Sequence, residues 1–220
     1  MQCIKDTIKN INIVIGCSIG CSYCYARMNN NRFHTIDDFN KHVFFENKLK
    51  MLDNKRHTAY LLTGQSDLSG WNEEWKDKVF SKMKENENTQ YIFLTKRPEN
   101  IKLKETPDNG WFGVTVTSSK EKTRIDYLRN NIKAKHYHIT FEPMFDDVGK
   151  LDLSNISWIV IGTETGNRKG KISSKREWVF NIYNQAKEKN IPVFMKEDLL
   201  GILNEDEFVQ EFSKEFGGIK

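Results

Sequence analysis

Short apolar runs alternate along this chain with charged stretches of helical spacing. The runs are INIVIG (11–16), TAYLLTG (58–64), QYIFLTK (90–96), WFGVTVT (111–117), HYHITFEP (136–143), WIVIGTET (158–165) and PVFMKE (192–197). All are rich in β-branched and aromatic residues, which predicts strands buried on both faces. Between most of them lie 36–52, 72–86, 119–131 and 174–190, whose spacing predicts helices. In the second of these, Trp75, Val79 and Met83 share one face, as a helix covering a sheet requires. Residues 204–216 read as one last amphipathic helix.

Strand and helix alternating six or more times predicts an α/β fold, a parallel sheet with helical crossovers. An open doubly wound sheet and a full barrel satisfy the alternation too, but a partial (β/α)6 barrel of the TIM type, with helices outside, suits six or seven strands. No Gly/Pro/Ser-rich linker, repeat or low-complexity segment interrupts the chain, so one domain is expected over 1–220. In such folds chemistry collects at the C-terminal ends of strands. Here those ends are polar or glycine-rich: 16–17, 64–67, 95–97, 115–119, 142–143, 162–166 and 196–197.

Composition narrows this picture. Hydrophobic residues make up 38% and charged residues 29% of the chain, a balance that excludes disorder. No apolar run approaches the roughly 18 to 20 residues that cross a bilayer, and the start lacks a signal pattern, so a cytoplasmic protein with no membrane partner is expected. Lys and Arg number 34 against 30 Asp and Glu, a net +4 that permits a polyanionic partner without demanding one.

The sharpest chemical signal is GCSIGCSYCYAR (16–27), which places three of the chain's four cysteines at Cys17, Cys21 and Cys24. A secreted disulfide framework is spaced more widely. Soft thiolates in a loop after a strand can carry an iron-sulfur cluster, and three of them hold three irons of a 4Fe-4S cubane, leaving the fourth iron open to a ligand. Two alternatives stand beside this: a structural zinc with His34 as fourth ligand, and three thiols buried as hydrophobes. Gly16, Ser18, Gly20 and Ser22 suit a loop better than a core.

The spacing Cys17-x3-Cys21-x2-Cys24, with Tyr23 before the last cysteine, resembles the signature of the radical S-adenosylmethionine superfamily. The resemblance implies a partial barrel, a 4Fe-4S cluster, S-adenosylmethionine on its open iron, and a 5'-deoxyadenosyl radical that abstracts hydrogen from a substrate. It also implies an external one-electron reductant of flavodoxin or ferredoxin type. From about Leu62 to Lys196, FLTKRPEN, GVTVTSSKEKTRI, the stretch from FEPMFDD to GTETG, and PVFMKE resemble in order a phage- and prophage-associated radical S-adenosylmethionine family of unknown function. Tyr23-Cys24-Tyr25, Ser66-Asp67 and Thr95-Lys96 are similar to motifs of the spore photoproduct lyase family, which acts on DNA. That likeness implies a nucleic acid or nucleobase substrate and cosubstrate contacts from Ser66 and Lys96, while the superfamily resemblance implies Ser66 and Asp67 at the methionine amino group, with Tyr23 as a further cosubstrate-binding candidate. Gly64 departs from it, standing where the lyases carry their hydrogen-donating cysteine.

Other strand-end residues have two readings each. Thr115, Thr117 and Ser118 can bond ribose hydroxyls or cap the following helix. Glu142 and Glu164 can hold a ribose, orient substrate or move a proton, or can pair with Lys96, Arg97 or Lys196. Lys96 can meet a carboxylate or reach solvent. Gly162 and Gly166 can let backbone approach a ligand. Arg97, Arg124, Lys196 and Trp178 can contact an anionic or stacking substrate. Tyr25 can relay a hydrogen atom beside the cluster or pack on its loop. Cys3 reads as a bystander.

Overall fold

The computed structural model describes residues 2–54 and 59–216. Seven parallel strands form one sheet curled into a half-barrel: β1 (Ile8–Asn10), β4 (Ala59–Leu61), β5 (Gln90–Thr95), β6 (Gly110–Thr115), β7 (His136–Phe141), β8 (Ile156–Ile161) and β9 (Val193–Met195), side by side in that order. The numbering leaves out β2 (Val14–Ile15) and β3 (Val43–Phe44), which pair antiparallel as a separate ribbon. Thr58, the expected start of β4, lies outside the described residues.

The last five strands overlap the apolar runs that predicted them, with β6 starting one residue and β8 two residues earlier, and three predicted helices form. These are α3 (Glu73–Glu85), α4 (Thr123–Asn131) and α5 (Arg176–Glu188), following the short α1 (Ile4–Thr7) and α2 (Tyr25–Phe33). Side chains on a strand alternate between faces, and here the faces have different fates. One parity, including Tyr91, Phe93, Phe112, Ile139 and Ile161, packs against Val79, Met83, Leu128 and Ile182 of the helices. The other parity faces the concave side, where Ile8, Ile92, Trp111, Trp158 and Phe194 form a second cluster with Phe212 and Phe216 of the tail.

Three expectations are corrected. The first sheet strand is Ile8–Asn10 rather than 11–16, because the chain leaves β4 after Ile11 and residues 14–15 join the ribbon. Segment 36–52 is not an α-helix. Val43 and Phe44 pair with Ile15 and Val14, and only Glu46–Asp53 turns, as a 3-10 helix. Its apolar residues Ile36 and Phe39 instead pack with Ile15 and Ala26 behind the cysteine loop. Residues 204–216 form no α-helix either. Met195 N–H donates to the Val209 carbonyl and Glu211 N–H to that of Val193, so the tail covers the exposed edge of β9, which an unpaired strand edge favours. The partial barrel itself is as expected, with seven parallel strands, and an α-helix lies in only some of its crossovers.

Candidate functional site

The cysteine loop stands on the rim where the parallel strands end. Gly16 bridges to Ser66, so the chain entering the loop runs alongside the loop that follows β4. Gly16 has φ +111°, and a Cβ there would sit 1.9 Å from the Lys41 carbonyl oxygen, so only glycine makes this turn. Cys17 N–H donates to the Phe39 carbonyl at 2.6 Å, tying the loop to the 36–45 strap behind it. Cys24 is the N-cap of α2, its sulfur accepting the Arg27 N–H at 3.4 Å. Asn30 of α2 then closes the unit by bonding both the N–H and the carbonyl of Ile36.

All three thiols are free and partly exposed. Burial pushes the Cys17 thiol up, and the fields of Asp67, Cys24 and Cys21 add to it against a lowering Ile19 N–H. The thiols are thus electrostatic neighbours, yet among the described residues no three His, Cys, Asp or Glu groups converge tightly enough for one metal ion. Tetrahedral zinc needs sulfurs at about 2.3 Å from one centre, whereas a cubane gives each thiolate its own iron. A set of three soft donors spread around one loop fits the cluster. His34, the alternative fourth zinc ligand, lies past the far end of α2, about 14 Å of helix from Cys24 at 1.5 Å per residue.

Beside the loop, Tyr23 packs edge-on against Phe145 at 5.4 Å between ring centroids, and the Lys96 ammonium lies 5.8 Å from its ring centre. Burial, then Cys21 and Glu121, push the Tyr23 phenol well above its ordinary range, so it stays neutral. Lys96 Nζ reaches the Thr115 hydroxyl at 3.4 Å. Asp67 is buried and fully employed: its carboxylate accepts from Ser69 N–H and O–H, from the Thr95 hydroxyl at 2.6 Å and from Lys96 N–H at 2.8 Å. It therefore positions Lys96. Ser66 Oγ accepts from the Trp71 indole at 3.0 Å, which leaves its own proton to donate.

Tyr25 donates its phenol to the Gly64 carbonyl at 2.6 Å. Burial, then the Glu142 and Cys24 charges, push this phenol up, which sets Glu142 within electrostatic reach. Glu142 pairs with Lys196, and Lys196 also reaches Asp198 at 3.2 Å. Asp198 is anchored in turn by the Thr163 N–H at 3.0 Å. Burial alone would lower the Lys196 ammonium, but Glu142 and Asp198 outweigh it and hold the lysine charged. Gly162 leaves the space for this triad, since a Cβ there would stand 3.1 to 3.2 Å from both carboxylate side chains.

Thr117 and Glu164 are engaged elsewhere. Thr117 N–H and O–H both donate to Glu121, while the half-buried Ser118 makes no cap bond. Glu164 is buried and held by Arg168 through two bonds of 2.5 and 2.8 Å, which shape the loop after β8. The expected partners Lys96, Arg97 and Lys196 are not the ones it takes. Cys3 donates to Glu197 at 3.0 Å, away from the triplet.

Several inward-facing residues escaped the sequence reading. Asn10 and Asn12 crowd the open side of Gly64, and Asn12 Oδ1 is buried without a partner. His138 lies deep on the concave face, its Nε2 bonded to the Phe93 carbonyl at 3.0 Å and its Nδ1 unpartnered. Stepping back by twos from Glu142 reaches Thr140 and His138, so parity was the signal available for the histidine.

Comparison with known proteins adds one finding. Residues 2–218 match the family described as a protein of unknown function, DUF5131. No curated protein and no solved structure matches the chain. With nearly its whole length matched, the chain belongs to the DUF5131 family.

Proposed function

We propose that this protein is a cytoplasmic radical S-adenosylmethionine enzyme acting on a nucleic acid or nucleobase, with an external flavodoxin- or ferredoxin-type reductant. The carrying observation is the three-thiol loop on the rim of a parallel half-barrel, next to Ser66 and the Asp67-fixed Lys96. Among the described residues no helix is long and apolar enough to cross a membrane, which agrees with this location. A 4Fe-4S cluster on Cys17, Cys21 and Cys24, with S-adenosylmethionine at its open iron, would supply reductive cleavage to a 5'-deoxyadenosyl radical.

The chain's own residues then divide the work. Lys96 offers a point charge to a carboxylate, and Ser66 donates its free proton to the same moiety. Tyr23 closes over them as an apolar lid. Thr117 and Ser118 retain lone pairs for ribose hydroxyls. Tyr25 carries a hydrogen within reach of the rim, while Glu142, held by Lys196, orients a substrate donor group from the opposite side.

Anaerobic reconstitution is the test. The reading expects about four irons and four sulfides per chain, loss of the cluster in Cys17→Ala, Cys21→Ala or Cys24→Ala, and 5'-deoxyadenosine with a strong reductant. Zinc without sulfide, or a full cluster that never cleaves S-adenosylmethionine, rejects it. Deuterium transfer from labelled DNA, RNA or nucleotides into 5'-deoxyadenosine identifies the substrate.

A further inference from the structure

We propose that the cavity between the loops that follow β8 and β9 holds one neutral nucleobase, its exocyclic amino group donating to Asp198 and its ring lying against Leu200. This rests on the nucleic-acid or nucleobase substrate proposed above and narrows it to a base that bears an amino group and enters singly.

The cavity is about 400 Å³, within the range that takes one small ligand. Thr163 and Glu164 line it from the loop after β8, and Asp198, Leu200 and Ile202 from the loop after β9. It therefore stands where two adjacent parallel strands end, which is where such sheets bind ligands. A groove of about 520 Å³ beside α5 is larger, but its amides are spent. Gln185 bonds Leu151 and Gly149, and Asn181 bonds Asp147.

Charge selects a neutral ligand. Each carboxylate of the lining already faces a cation, Glu164 the Arg168 guanidinium and Asp198 the Lys196 ammonium, and Lys171 acts on Glu164 as well. What the cavity offers instead is directional bonding. Asp198 accepts from the Thr163 N–H at 3.0 Å and meets Lys196 at 3.2 Å, which fills two of the about four acceptor sites of a carboxylate. Lys196 has Glu142 as its closer partner. Burial raises the Asp198 carboxyl in spite of Lys196, as expected of a carboxylate short of donors. Thr163 Oγ1 accepts from the Ser174 N–H at 3.0 Å, so its own proton is left to donate.

Asp198 and Thr163, joined by that N–H bond, thus set an acceptor beside a donor. Cytosine and adenine present the complement, an amino group next to a ring nitrogen that accepts. Uracil and thymine carry a carbonyl at the amino position, which a carboxylate repels. Leu200, 49% exposed, and the half-buried Ile202 give the ring an apolar wall. Asp198 shares Lys196 with Glu142, and Glu142 acts on the Tyr25 phenol, so the cavity adjoins the cysteine loop through one ion-pair network. A base in a duplex is stacked with its amino edge paired, so only an extruded or free base enters.

The test is calorimetry of the protein as purified with cytidine, uridine and adenosine. Cytidine should bind at least about tenfold tighter than uridine, the value of a hydrogen bond to a charged acceptor, and adenosine should bind too. Asp198→Asn keeps an acceptor for the Thr163 N–H but puts an amide donor in place of the other oxygen, so the cytidine preference should fall to about twofold or reverse. Leu200→Ala, at an exposed position, should weaken cytidine and uridine alike and leave their ratio unchanged. The wild-type ratio decides the matter even where Asp198→Asn fails to fold. Equal binding of cytidine and uridine, no binding of any nucleoside, or an unchanged ratio in Asp198→Asn overturns the proposal. Binding of adenosine alone also overturns it and assigns the cavity to the adenine of the cosubstrate. S-adenosylmethionine cleavage by the reconstituted wild type is scored separately, so a failed base pocket and a failed enzyme reading give different results.

Discussion

His138 gives the sharpest prediction about the fold. Burial pulls its imidazole pKa down to about 4, against a raising bond to the Phe93 carbonyl. Its surroundings on the concave face are the Trp158 ring at 6.0 Å and the bare backbone of Gly113, with no carboxylate among the groups that act on it. The folded protein therefore binds this proton later than the unfolded chain, whose histidine titrates near 6.5. The stability is complete above about pH 6.5 and lost as pH falls toward 4. At pH 5 the gap spans about 1.5 pKa units, so His138 alone lowers stability by about 2 kcal/mol relative to pH 7. Urea unfolding of the cluster-free protein at the two pH values measures this. His138→Gln keeps an N–H where Nε2 bonds Phe93 and cannot be protonated, so it should lose about 2 kcal/mol less on acidification than wild type. His42 and His136, also lowered by burial, remain in both proteins and cancel. Equal acid sensitivity of the two proteins would refute the reasoning.

Three more outcomes follow from contacts around the rim. Gly113→Ala places a Cβ 2.3 Å from His138 Nε2, and overpacking of this kind should cost about 1 to 3 kcal/mol in thermal or urea melts, partly recovered in a double variant with His138→Ala. Asp67→Ala strands the Thr95 hydroxyl and the Lys96 N–H and should cost about 3 kcal/mol, with weaker S-adenosylmethionine binding because Lys96 loses its anchor. Lys96→Ala should weaken S-adenosylmethionine binding by calorimetry while iron and sulfide content stay at wild-type levels; unchanged binding removes Lys96 from the site.

Strands β5 to β9 were legible because each is buried on both faces, so tertiary context and local sequence agree. The cysteine segment was legible as a loop because Gly16, Ser18, Gly20 and Ser22 suit a turn better than a core. What surrounds it was not. The α2 helix carries two buried residues in nine, Ala26 and Asn30, too little apolar periodicity to register. The 36–52 segment and the tail misled for the opposite reason. Ile36, Phe39 and Val43, and Phe208, Phe212 and Phe216, repeat at helical intervals of three or four, yet the backbone of Val43 joins the ribbon and that of Val209 and Glu211 bonds β9. Glu164 and Asp198 show the same limit within the site. Each stands at a readable strand end, but its partner, Arg168 or Thr163, is chosen by loop geometry no spacing encodes.

The concave face explains why the chemistry gathers where it does. Register sets its inward residues in tiers: Trp111 beside His136, then Leu94, Gly113, His138 and Trp158, then Thr115, Thr140, Val160 and Phe194. The lowest tier is dry, with His136 stacked on Trp111 at 4.4 Å and Phe216 packed against both tryptophans. The tail that replaced the expected helix thus seals the floor. Moving up, the tiers become hydroxyl-lined and end in Lys96, Glu142 and Lys196. Because every strand of the sheet is parallel, each strand contributes its polar end to one rim, and the Gly16–Ser66 bridge hangs the cysteine loop over that same rim. The polar groups that end the tiers therefore share a rim with the three thiols, so a ligand held at one would lie beside the other.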